Sequence, residues 1–310
     1  MKDFELQILL ATYNSSRFLR AQLDSLLAQD WQDFEVLIRD GGSTDDTLEI
    51  VADYQRKHPE RIRFLGSSPA SAVKNFSSLL AASTAPLIMF SDHDDVWKPD
   101  KVRATVEKYH EAESSLGSDT PIMVFTDSEV VDSELKPISP SMIRFQNLNP
   151  RDLTLNRLIV QNVPSGNTML LNRALADLAN PIPAEAVMHD HWLTLAAASM
   201  GRIVFLDEPT MYYRQHSSNV YGASNYSLPT FLHRLKQGRK KIRERFQQNI
   251  DQAVAFGNRY GGRLNENDRK MIEALKTFQT LGAWSRRKTL WKYGIWKSGF
   301  WRNIGTILFI

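Results

Sequence analysis

The 310-residue chain is 42% hydrophobic and 24% charged, an ordinary balance for a folded globular protein. It has no cysteine, which excludes disulfides and thiolate metal sites and fits a reducing, cytosolic setting. The net charge of +3 hides a split: residues 231–310 carry 18 Lys and Arg against 5 Asp and Glu, and the first 230 carry 20 against 30.

The opening "MKDFELQILLATYNSSRF" has no long apolar stretch and no small-residue cleavage site, so no secretory signal is expected. No apolar run approaches the ~18 residues of a membrane-crossing helix. The length allows one large domain, or a domain with an appendage.

In chain order, short apolar β-rich runs alternate with helical segments. "LQILLA" precedes "SRFLRAQLDSLLAQ", where Phe18, Leu19, Leu23, Leu26 and Leu27 recur at helical spacing. "FEVLIRD" precedes "TDDTLEIVADYQRKH", and "RIRFLG" precedes "SAVKNFSSLLAAS". "APLIMFSD" leads into "KPDKVRATVEKYHEAE", and "PIMVFTD" closes the series. Repeated β-α units of this length predict an α/β fold, a mostly parallel sheet with helices on both faces. Ligands of such sheets bind beyond the carboxyl ends of the strands. Polar groups gather there: "ATYN" after the first strand, "RDGGSTDDT" after the second, "SDHDD" after the fourth and "FTDSE" after the fifth. Four on one edge predict a cleft. After Pro140 the rhythm breaks, and from about Tyr226 the chain reads as helical.

The sharpest feature is "APLIMFSDHDDVWKPDKV", an apolar strand ending in Asp92, Asp94 and Asp95 around one histidine. Carboxylates that close raise one another's pKa unless a cation compensates them. A divalent metal with hard oxygen ligands, Mg²⁺ or Mn²⁺, is the expected compensator. The plainer alternative is an acidic cap on the helix that starts at "KPDKV".

In order, "ILLATYNSSRFL", "RDGGSTDDT", "FSDHDDVWKPDKV", "SGNTMLLNR", "HDHW" and "YRQHSSN" resemble the family 2 glycosyltransferases of GT-A fold. The "SDHDDVWKP" form is similar to that of bacterial rhamnosyltransferases of cell-surface polysaccharide assembly. The resemblance covers roughly residues 5 to 220. It implies a catalytic domain over 1–225, with a nucleotide-binding half to about 130 and an acceptor half from 131, followed by a helical region over 226–310.

The resemblance also implies roles. Asp94 would bind the metal directly, Asp92 would contact the ribose and metal waters, and His216 would complete the metal shell. Asp95 would steer the site. Thr12, Asn14 and Arg17 would face the nucleotide, although Asn14 would equally suit a helix cap. Asp40 would accept a hydrogen bond from the base, with Gly41 where the family carries a second acid. Lys74 and Asn75 would reach the donor or lie at the surface. Ser165, Gly166 and Asn167 would form the loop beneath the donor sugar. Asp190 would be the base of an inverting transfer, with helix capping as its alternative role, and His189 replaces its usual acidic neighbour.

The donor implied is dTDP-L-rhamnose, with a UDP-sugar as the alternative, and the acceptor a lipid-linked saccharide. The basic tail carries four of the seven Trp. Trp284, Trp291 and Ile295 are expected on one helical face, with Trp296, Phe300 and Trp301 spread around it. Such a tail suits the inner face of the cell membrane, where aromatics anchor and cations meet anionic headgroups. Packing on the catalytic domain or on a second subunit, as a homo-oligomer, is the other reading. The acidic body gives no support for nucleic acid binding. Two rivals stand against transfer: an aspartyl-nucleophile phosphohydrolase using Asp92 and Asp94, and a non-catalytic membrane adaptor.

Overall fold

The computed structural model describes residues 4–216 and 239–309. The β-α units form as predicted: β1 (Leu6–Thr12), α1 (Leu19–Leu27), β2 (Phe34–Asp40), α2 (Thr47–Lys57), β3 (Ile62–Ser67), α3 (Ala72–Ala82) and β4 (Leu87–Ser91). Then come β5 (Val96–Trp97), α4 (Lys101–Leu116), β6 (Ile122–Val131) and β7 (Pro137–Ser139). The second half adds α5 (Met142–Phe145), α6 (Leu155–Leu158), β8 (Met169–Asn172), α7 (Arg173–Ala179), α8 (His189–Met200) and β9 (Arg202–Arg214).

All seven residues of β1 are buried, because helices cover both faces of the sheet. Leu6, Ile8 and Leu10 face one apolar layer with Leu19, Leu23 and Val106. Leu9 and Ala11 face the other with Phe76, Phe90 and Trp192.

The strand order is β3-β2-β1-β4-β8-β6-β9-β5, with β7 beside β6. The pairs β1–β2, β1–β4, β2–β3 and β6–β9 are parallel. Strand β8 lies antiparallel between β4 and β6, and the short strands β5 and β7 are reversed as well, so six of the nine strands run in one direction.

Two expectations change here. "FTDSE" does not close the fifth strand, because β6 runs on to Val131, paired along its length with β9 through register shifts around Asp127. The Asp127 carboxylate instead accepts from Ser141 Oγ and from the Ile143 N–H, fixing the start of α5. The acidic turn after β4 does not cap a helix either, since the N-cap of α4 is Asp100, five residues beyond Asp95.

Strand β9 sets the site. Its far end pairs antiparallel with β5, Val96 with Tyr212 and Trp97 with Met211, and so returns beside the acidic turn. It starts at a tight corner: a Cβ on Gly201 would lie 2.1 Å from the Pro121 carbonyl oxygen, which accepts the Arg202 N–H. Gly201→Ala should therefore destabilise the fold by about 1–3 kcal/mol, as overpacking does. A urea midpoint equal to that of the parent would contradict it.

The tail forms α9 (Arg239–Tyr260), α10 (Glu266–Lys276), α11 (Ala283–Tyr293) and α12 (Phe300–Phe309). Residues 226–238 lie outside the described residues. Phe246, Ile250, Phe256, Ile272 and Leu290 join the same apolar layer as Leu9 and Trp192. Gly294 ends α11 in the left-handed conformation at φ 63°, so Ile295 falls outside the helix and is fully buried. It does not share the face of Trp284 and Trp291, which are 79% and 77% exposed. Among the described residues no helix is long and apolar enough to cross a membrane.

Candidate active site

At the end of β4, Asp92 is half-buried, while Asp94 and Asp95 are buried. Burial, with Asp94 and Asp190 nearby, pushes Asp92 up to about 8. Asp95 is raised as well, by burial and by Asp94 and Asp92. The crowding expected from the spacing is thus present. Asp95 Oδ2 accepts from Asn167 Nδ2 at 2.6 Å, and Oδ1 accepts from the Arg214 N–H at 3.1 Å. Its carboxylate joins the acidic turn to the loop before β8 and to the end of β9.

Asp94 Oδ2 lies 2.9 Å from His216 Nε2. That imidazole stacks on Phe18, ring centroids 4.8 Å apart, and the Arg214 guanidinium lies 4.7 Å from the same ring. Arg214 Nε also donates to the Asp94 carbonyl at 2.8 Å. Residues 122 positions apart meet because β5 pairs with β9. Among the described residues no group of three or more His, Asp or Glu stands ready to hold a metal. Asp94 and His216 provide one oxygen and one nitrogen donor side by side, with the Asp92 carboxyl two residues from Asp94, a set suited to a divalent cation whose other ligands come from a diphosphate.

Asp190 is the second residue of α8, whose N-cap is Met188, so it is not the cap. Its Oδ1 accepts the His191 N–H at 2.6 Å and its Oδ2 the Gly166 N–H at 3.1 Å. Burial raises this carboxyl to about 6, against those bonds. Asp190 is near enough to Asp92 for its charge to help raise that carboxyl. His189 turns inward, its ring 3.9 Å from that of Phe76 and 4.9 Å from that of Phe90. Burial lowers it to about 3, and neither ring nitrogen has a partner. It is a neutral aromatic plate beneath Gly166, where an added Cβ would meet His189 Nε2 at 2.6 Å.

The β1 and β2 ends form a hydrogen-bonded knot. Asp40 is fully buried and accepts from Thr12 Oγ1, Ser43 Oγ, Ser67 Oγ and the Gly42 and Ser43 N–H groups at 2.5–2.8 Å. Burial opposes ionisation, but these donors hold its carboxyl below the usual range. Gly41 admits no side chain without shifting Asn75, whose amide would sit 2.9 Å from a Cβ. Asn75 is buried and bonded to Arg39. Asn14 does not cap α1, whose N-cap is Phe18. It adopts φ 45° and accepts the Thr44 N–H at 2.8 Å. Arg17 is exposed and pairs with Glu134 at 3.2 Å, and Lys74 is exposed on α3.

Sequence reasoning missed Lys101. It is fully buried, donates to Thr210 Oγ1 at 3.1 Å and sits 4.7 Å from the Trp97 ring centroid. Burial lowers it to about 7, with Asp95 opposing. Its signal was a lysine at the first turn of an otherwise apolar helix face. Arg214 carried no signal at all.

A sheet of this order, with an acidic turn after β4 and a carboxylate at the start of α8, is a GT-A-like fold. The chain belongs to glycosyl transferase family 2, whose model matches residues 7–175. It is 27% identical to an uncharacterized glycosyltransferase of Nostoc sp. over 69% of this chain and 66% of that protein. The dTDP-rhamnosyl transferase RfbG of Shigella flexneri is also 27% identical, over 79% of this chain and 84% of that protein. The chain spans two thirds or less of the length of the Nostoc protein and of a Mycobacterium tuberculosis relative, 66% and 60%. Among solved structures, S. aureus TarS 1-349 in complex with UDP has a TM-score of 0.54 at 18% identity, covering 94% of this chain and 92% of that one. The mannosyltransferase PcManGT of Pyrobaculum calidifontis, in complex with GDP-Man and Mn²⁺, has a TM-score of 0.55 at 16% identity, covering 93% and 73%.

Proposed function

We propose that the chain is an inverting, metal-dependent glycosyltransferase that moves L-rhamnose from dTDP-L-rhamnose to a lipid-linked saccharide. The observation that carries transfer is Asp190, a carboxylate at the start of α8 held by the His191 and Gly166 N–H groups, raised to about 6 and close enough to Asp92 to help raise it. In the reaction an acceptor hydroxyl attacks the anomeric carbon and its proton passes to Asp190. The bond from that carbon to the diphosphate oxygen breaks, and the nucleoside diphosphate leaves with the electron pair. Asp94 and His216, with Asp92, would hold Mn²⁺ or Mg²⁺. The ion would neutralise the departing diphosphate.

The likeness to RfbG supports rhamnose as the sugar, and the Mn²⁺ complex of a protein of similar fold supports a divalent ion. Thr12, Asn14, Asp40 and Asn167 would surround the donor, Asp40 by holding the loop through Gly42 and Ser43. Residues 1–225 would form the catalytic part, and the tail from 226 would rest on the inner face of the cell membrane. Exposed Trp284 and Trp291 in a basic segment support that placement. The phosphohydrolase reading is disfavoured because Asp92 follows the fourth strand in the chain, where such chemistry uses the first.

Calorimetric titration with a panel of nucleotide sugars, with and without Mn²⁺, tests this reading. Metal-dependent binding of dTDP-rhamnose is expected. Preference for a UDP-sugar would discard rhamnose, and no binding of any nucleotide would favour the adaptor.

A further inference from the structure

The tail is latched to the acceptor half by a run of hydrogen bonds. Asn156 Nδ2 donates to the carbonyls of Tyr293 and Gly294 at 3.1 and 2.9 Å, and Arg157 donates to that of Trp296 at 3.3 Å. The Ser298 N–H donates to Gln161 Oε1 at 2.6 Å, and Arg302 donates to the carbonyls of Gln146 and Asn147 at 2.5 and 3.0 Å. Fully buried Ile295 pins the middle of this seam. Gly299, at φ 89°, lets the backbone pass Asn147, whose amide would lie 3.0 Å from a Cβ there.

Between the two segments lies a cleft of about 370 Å³, lined by residues of 147–163 on one side and 296–303 on the other. Its walls combine Trp296 and Phe300 with Arg157, Asp152, Gln161 and Asn149. Aromatic faces stack on the C–H side of pyranose rings, and planar amide, carboxylate and guanidinium groups match paired hydroxyls. Asp152 and Arg157 hold each other at 3.1 Å, which orients both. Gln161 uses its oxygen on Ser298 and keeps its amide N–H groups for another partner. Phe300 is 71% exposed. Gln161 and Val163 in this wall lie on the segment that runs directly into Gly166, whose N–H donates to Asp190.

We propose that this cleft binds the acceptor saccharide, one or two sugar units behind the hydroxyl presented to Asp190. The tail is then part of the acceptor site and not only an attachment. This inference rests on the transferase reading above for its direction, but its walls stand independently of it.

The test uses the full chain. Saturation-transfer NMR is recorded against methyl glycosides of L-rhamnose, N-acetylglucosamine, mannose and galactose, for the parent and for Phe300→Ala and Asn149→Ala. At least one glycoside should bind the parent, with affinity about ten-fold weaker in Phe300→Ala. Nucleotide-sugar titration of the same samples reports separately on the donor side. No glycoside signal with the parent, despite donor binding, overturns the cleft alone, whereas absence of donor binding overturns the transferase reading. Unchanged glycoside binding in both variants also overturns the cleft. So does loss of binding to phosphatidylglycerol vesicles in Phe300→Ala with glycoside binding unchanged, which would assign this face to lipid.

Discussion

Asp190→Asn should lower the rate of sugar transfer by about 10²–10⁴-fold, the range that a positioned general base supplies. The amide is nearly isosteric and can still accept from the Gly166 or His191 N–H, so α8 and the loop above it should stay in place. Donor affinity should therefore be unchanged. Only the proton acceptor is lost. Because burial raises this carboxyl to about 6, the parent's rate should fall as the pH drops below about 6, where Asp190 takes up a proton and can no longer accept one. In the variant that acidic limb should be absent. Normal turnover by Asp190→Asn, or an unshifted limb, would remove Asp190 from the mechanism.

Asp94→Ala should weaken metal binding by more than about 100-fold, since loss even of a group that only orients a metal ligand costs 10–100-fold. Two features make Asp94 the more telling choice among the three carboxylates. Its Oδ2 lies against His216, the neighbouring nitrogen donor. Asp95, by contrast, is committed to Asn167 and the Arg214 backbone, so its removal would disturb the fold of the site. Calorimetry with Mn²⁺ and a nucleotide sugar should show binding to the parent and none to Asp94→Ala, and chelation of the parent with EDTA should reproduce the variant. Equal donor affinity with and without metal would refute the cation as the reason for this acidic turn.

Much of this arrangement was legible in the sequence, for identifiable physical reasons. The first four strands and three helices repeat a simple rhythm, and burial of β1 on both faces leaves an unbroken apolar run. The acidic turn announced itself because three carboxylates at a strand end are electrostatically expensive. The rest depended on long-range pairing, which leaves little local trace. "MLLN" is three apolar residues and an asparagine, too short to reveal that β8 would enter reversed between β4 and β6. Nothing near His216 indicates that β9 would turn back to β5 and bring the ring to Asp94. Asp40 was visible as a polar strand end, but its five protein donors emerge only once β1, β2 and β3 lie side by side. In the tail, helical periodicity carried the reading past Gly294, where the chain actually stops being helical.

The shared apolar layer also bears on how the molecule comes apart. Phe246, Phe256, Ile272, Leu290 and Ile295 lie in one continuous contact set with Leu9, Phe90 and Trp192. Stripping away the last eighty residues would wet Trp192 of α8, on which Phe256 and Tyr260 pack, and the remainder would tend to clump. Heating should melt both parts together in a single step. The tail is thus a prop for α8, since Phe256 packs on Trp192, two residues beyond Asp190.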